Sequence, residues 1–174
     1  MNHTLSVTYN EDRVIQELQT RLYDELTTVW NTTKLDAYGR VYKNEKDGRF
    51  IPQVFDATSQ NYKTVFYNGQ SCFFFVDDDT HILDDEDHEF TTDVKIVFML
   101  KLSDLKVTSE RADADVKKDV LEILTNFDFH YRVKKYIKGV ENVLREFDTS
   151  NLNKPDMQPY HVFAFETSWS YSVT

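Results

Sequence analysis

From Phe90 to Ser103 the chain alternates: Phe90, Val94, Ile96, Phe98, Leu100 and Leu102 share one parity, and Thr91, Asp93, Lys95, Lys101 and Ser103 the other. A helix would scatter both sets around its axis. A strand sends successive side chains to opposite faces, so this spacing predicts a strand with one buried and one wetter face. Such a strand belongs to an antiparallel sheet covered on one side. Val97 and Met99 lie on the wetter parity, which predicts that the second face is covered at mid-strand. The last segment alternates in the same way, with Phe163, Phe165, Trp169, Tyr171 and Val173 against Val162, Ala164, Glu166, Ser168, Ser170 and Ser172.

Elsewhere the spacing changes to three and four. Val14, Leu18, Leu22 and Leu26, widened by Ile15, Val29 and Trp30, predict an amphipathic helix of about 20 residues from Asn10. Asn10 is its expected N-cap, and Glu11 and Asp12 suit the positive end of the helix dipole. A second helix is expected over 110–126, with Val116, Val120, Ile123, Leu124 and Phe127 as its stripe. A third is expected over 132–147, carrying Val133, Tyr136, Ile137, Val140, Leu144 and Phe147. Asp47-Gly48 predicts a hairpin turn between strands 38–43 and 49–55, and Asn68-Gly69 predicts a second one. Pro52 is expected on an edge strand or at a bulge. The resulting class is α+β: a single antiparallel or mixed sheet with three helices mainly on one face and a long β-hairpin at about 38–55. One domain is expected over 1–174.

Composition bears on the core and on the charge. With 13 Phe, 10 Tyr and 2 Trp the chain can bury a large core, and with 4 Gly and 3 Pro it is neither collagen-like nor low in complexity. The net charge of −10 is local. Residues 77–89 read DDDTHILDDEDHE and hold eight carboxylates: Asp77, Asp78, Asp79, Asp84, Asp85, Glu86, Asp87 and Glu89. Without those eight, the 30 acids fall to 22 against 20 bases, so the rest is nearly balanced. The run lacks the order of a calcium loop and reads as a solvated connection between strands or a docking element for a basic partner. A single cysteine, Cys72, fits a reducing cytoplasm. The first ten residues lack a basic region followed by an apolar one, and no apolar run approaches the roughly 20 residues of a membrane span. No membrane partner is expected.

No residue earns a catalytic, cofactor-binding or metal-ligating role. His81 and His88 flank the acidic run at a spacing that matches no ligand motif. His130 and His161 sit among aromatics and read as packing residues. Asp93-Val94-Lys95, with Asp78 or Asp79 upstream, has the acid and acid-x-Lys order of metal-dependent nucleases. The same spacing recurs at Asp104-Lys106 and Asp115-Lys117, and strand alternation alone produces it. No nucleophile elbow, P-loop, dinucleotide fingerprint or CxxC occurs. Arg132, Lys134, Lys135 and Lys138 form a basic stripe on the expected third helix. It is opposite in sign to the 77–89 run, so the two could meet across a contact between identical subunits.

The succession of an amphipathic helix before Trp30, strand-rich middle segments with the 38–55 hairpin, helices over 110–147 and the closing strand HVFAFETSWSYSV resembles the tail-completion and tail-terminator proteins of tailed bacteriophages. More broadly, it is similar to their head-to-tail connector, or neck, ring proteins. In its Asn, Asp, Lys and Tyr richness it also resembles proteins of gut Bacteroidales phages, including crAss-like phages. The resemblance implies a structural virion protein made in the bacterial cytoplasm. Six or twelve copies would form a ring that links portal or adaptor to tail, with DNA only as passing channel content. The family has no catalytic residues to carry over. Two other classes stay open: a small metal-dependent phage nuclease using Asp93 and Lys95, and an acidic host-protein-binding module that mimics DNA charge.

Overall fold

The computed structural model describes residues 1–66, 70–84, 86, 88–105, 109–127, 131–152 and 157–173. The alternating segments form its centre. Strand β6 (Ser71–Asp84), β7 (Glu89–Lys101) and β9 (Tyr160–Ser172) lie side by side and antiparallel, β7 pairing with β9 along its whole length from Glu89↔Ser172 to Lys101↔Tyr160. Strand β8 (Tyr131–Lys138) flanks β9. On the other side β2 (Leu35–Arg40) runs parallel to β6, and the two-residue β1 (Asn2–His3) runs parallel to β2. The result is a mixed six-stranded sheet in the order β1-β2-β6-β7-β9-β8.

Helices cover one face. The expected first helix forms as α1 (Asn10–Val29) and the second as α2 (Ala112–Thr125). Ile15, Leu18, Leu22, Leu26 and Trp30 join Val116, Val120, Ile123 and Leu124 over Phe73, Phe75, Ile96, Phe98, Phe163 and Phe165. Trp30 donates its indole N–H to Asp119 at 2.9 Å, which ties the two helices together. Asn10 does not cap α1. It is the first helical residue with φ of 51°, and extended Tyr9 precedes it without a side-chain cap. The first turn is held instead by Arg40 of β2, whose guanidinium grips Asp12 at 2.8 Å twice and reaches Glu11 at 3.2 Å.

The second face is covered at mid-strand, as Val97 and Met99 predict. Both are fully buried, with Phe74, Val76, Val162 and Ala164, beneath Tyr38, Val41, Val65, Val143, Leu144 and Phe147. Part of this cover is a second, three-stranded sheet made of β3 (Tyr42–Lys46), β4 (Arg49–Asp56) and β5 (Asn61–Thr64). The Asp47-Gly48 turn forms as expected, with both residues in the left-handed region that a tight hairpin demands (φ 53° and 74°). The sheet is therefore neither single nor covered only by helices.

Five further expectations are corrected. The strand expected at 38–43 is divided, β2 staying in the large sheet while β3 begins the hairpin. The Asn68-Gly69 turn lies outside the described residues, but its two flanks sit in different sheets, β5 on β4 and β6 between β2 and β7, so they form no hairpin. Pro52 lies on the middle strand, β4. It is tolerated because it faces Val65 just past the regular β4–β5 ladder, where its carbonyl accepts from the Val65 N–H at 3.2 Å and no amide hydrogen is required of it.

The fourth correction concerns 132–147, which is strand β8 followed by the one-turn helix α3 (Val140–Val143). The β8–β9 register shifts between Val133 and Lys135, so one extra residue is inserted there. That bulge breaks the period of two, and Val133, Tyr136, Ile137 and Val140 then fall at the spacing of a helix. Tyr131, Val133 and Tyr136 pack on the helix-covered core and Ile137 on the other, as strand residues do. Gly139, with φ of 90°, turns the chain into α3. The fifth is the acidic run, which is strand from Asp77 to Asp84.

Phe98 stacks between Phe73 and Phe163 at ring-centroid distances of 5.3 and 5.0 Å. Phe98→Ala should lower the unfolding free energy by about 3–5 kcal/mol, measured by urea denaturation. Burial at 2% exposure pushes the Cys72 thiol well above its ordinary pKa. Cys72 should react with a thiol reagent at neutral pH only after unfolding, as followed by the released chromophore.

Candidate functional site

Charge is concentrated at two places on the large sheet. The first is the far half of β6. Its pairing with β2 ends at Arg40↔Phe75, while its pairing with β7 continues to Asp84↔Glu89. Beyond Val76 the far half of β6 is thus an acidic arm along the edge of the sheet, flanked on one side by β7, which stays paired with β9, and by no strand on the other among the described residues. Between Asp77 and His81 the register shifts by a bulge, and Asp79 adopts φ of 62°. Asp78, Asp79, Thr80, Asp84 and Glu86 are exposed, as are Ile82 at 68% and Leu83 at 48%. Asp85 and Asp87 lie outside the described residues.

Asp77 behaves differently from its neighbours. Its side chain is only 5% exposed, and a buried carboxylate requires partners. Thr92 donates its hydroxyl at 2.9 Å and His81 Nε2 lies at 2.8 Å, while His81 Nδ1 meets the Tyr171 hydroxyl at 2.6 Å. Lys43 Nζ, from β3, reaches the Asp77 carbonyl and the Asp79 carboxylate at 2.5 Å each, holding the bulge against the small sheet. The chain Tyr171–His81–Asp77–Thr92 pins the base of the arm. Parity would have found it: Asp77 continues the inward set Phe73 and Phe75, and Thr92 continues Val94 and Ile96.

The second place is β8, at the edge of the sheet. Arg132, Lys134, Lys135 and Lys138 are all exposed there, on a strand and not on a helix. Lys134 pairs with Asp93 at 2.7 Å, and Lys135 reaches Glu166 at 3.9 Å. Arg132 and Lys138 have no ion-pair partner among the described residues.

The nuclease-like residues share a bowl of about 550 Å³, lined by Asp78, Asp93, Lys95, Glu146 and Glu166 among others. Asp93 and Lys95 are both already engaged. Asp93 faces Lys134, and Lys95 donates to the Val143 carbonyl at 2.7 Å and to Glu146 at 2.5 Å. Among the described residues no three His, Cys, Asp or Glu side chains are grouped to hold a metal ion. His161 is buried with its ring 5.2 Å from that of Phe163; His88 is exposed beside the arm's turn, and His130 lies outside the described residues.

A third surface escaped the sequence reading. On the small sheet Tyr42, Phe50, Phe55 and Tyr62 are all exposed, and Tyr62 meets both Tyr42 and Phe55 edge-on with centroids 5.5 Å apart. Isolated aromatics on a hairpin give no sign that register will gather them. No protein family matches the chain, and no curated protein is significantly similar to it. No helix among the described residues is long and apolar enough to cross a membrane.

Replacing Asp77 with Ala strands the hydroxyl of Thr92 and the His81 imidazole in a dry site. It should cost about 1–3 kcal/mol of stability at pH 7, read from the urea midpoint. An equal cost from Asp78→Ala would show that the burial of Asp77 has no special weight.

Proposed function

We propose that this chain is a structural subunit of a homo-oligomeric ring in the head-to-tail connector or tail of a tailed bacteriophage, joining portal or adaptor to tail around the DNA channel. The observation that carries the reading is the aromatic face of the small sheet. Tyr42, Phe55 and Tyr62 stand together in solvent on one face of the small sheet, and clustered exposed aromatics are the composition of a protein contact. A hairpin that reaches from one subunit to the next is a common need of a ring.

The order of elements supports the same reading: an amphipathic helix, strands interrupted by a hairpin, a second helix and a long closing strand resemble the phage ring proteins.

Native mass spectrometry and negative-stain electron microscopy of the purified full chain test the proposal. Closed rings with a central hole, of six or twelve copies, are the expected result. A monomer that cleaves DNA in Mg²⁺, with cleavage lost in Asp93→Asn, would overturn it in favour of a nuclease. Stoichiometric capture of a basic host protein, lost on deleting residues 77–89, would overturn it in favour of a charge-mimicking module.

A further inference from the structure

We infer that the basic edge strand β8 of one copy takes the acidic arm of β6 from the next copy as an added strand, so that opposite charges join neighbouring subunits head to tail. This rests on the ring reading above and names its contact.

Two open backbone edges carry the argument. Strand β8 ends the six-stranded sheet, so the amide and carbonyl groups of its outer side have no strand partner among the described residues. The arm has a second bare side. From His81 to Asp84 it pairs with β7 alone, and no other backbone hydrogen bond reaches it among the described residues. Open strand edges attract further strands, and proteins blunt them unless they are used.

Charge decides which edges can meet. Two β8 edges placed together would set Arg132, Lys134, Lys135 and Lys138 against their own copies, and like charges on facing strands destabilise. Two arms would oppose Asp78 and Asp84 in the same way. Only the pairing of β8 with the arm sets bases against acids. Arg132 and Lys138 on one side, and Asp78 and Asp84 on the other, have no ion pair within the chain among the described residues, so each is available to a partner. Between the two acids, Ile82 and Leu83 stand exposed and supply apolar area to a contact that main-chain hydrogen bonds would align. A surface that fits a different surface of an identical copy makes a heterologous contact, which closes into rings or runs on as filaments.

The base of the arm is fixed in place. The Tyr171–His81–Asp77–Thr92 chain, which bonds β6 to β7 and β9, and the Lys43 clamp lie where β6 runs on past β2, so the open edge is positioned before any partner arrives.

A charge-swap complementation tests this. The double variant Arg132→Glu/Lys138→Glu reverses the edge, and Asp78→Lys/Asp84→Lys reverses the arm. The substituted groups are exposed, so circular dichroism and the urea midpoint should match the wild type. Each variant alone should lose assembly and run as a monomer in native mass spectrometry at concentrations where the wild type assembles. Their equimolar mixture should regain it as alternating oligomers, since the reversed edge meets the reversed arm and the native edge meets the native arm. If both variants still close into rings alone, or the mixture stays monomeric, the edge-to-arm contact falls and the ring reading stands on the wild-type particles. If the mixture and the wild type form only open filaments, the contact stands and the ring reading falls.

Discussion

Strand β7 is the constraint on which the rest of the molecule depends. It is paired on both sides, with β6 and with β9, and it is buried on both faces through its second half. The stack of Phe73, Phe98 and Phe163 crosses these three strands on one face, at centroid distances that favour ring contact beyond the area they bury. With such a centre, every other element has to cover a face or continue an edge. Helices α1 and α2 take one face, and the small sheet with α3 takes the other.

Covering both faces leaves the edges as the remaining open backbone. The two ends of the large sheet are unlike. Toward β1 the sheet thins to two residues and is tied by Gln19 of α1, which donates to the Asn2 side chain at 2.8 Å and the His3 carbonyl at 3.0 Å. Toward β8 it ends in a full-length strand lined with bases. The outer side of β6 past the end of β2 adds a third open line, acidic in character. The charge of the protein therefore follows the geometry of its sheet, with each sign gathered where backbone pairing stops.

Much of the layout is legible in the residues. The strands β7 and β9, the helices α1 and α2, the Asp47-Gly48 turn and the burial of Val97 and Met99 all follow from period and turn chemistry. Two of the failures share a cause. At β8 a single inserted residue near Lys134 shifts the parity, and strand residues acquire helical spacing. At the arm, three consecutive aspartates read as solvent-loving, although Asp77 still follows the inward parity of Phe73 and Phe75, and the bulge after it turns Asp79 outward. Local periodicity does not register a bulge, because a bulge is stabilised by the partner strand and not by its own neighbours.

Sequence alone determined the strong alternations, the excess of acid in one short segment and the nearly neutral remainder. These are properties of adjacent residues and need no knowledge of what they face. Tertiary structure alone decided that the bases lie on one sheet edge, that the acids lie along another, and that the aromatics of the small sheet stand together. Each depends on which strand pairs with which across tens of residues, since pairing register is a long-range choice that places side chains far apart in sequence onto one surface.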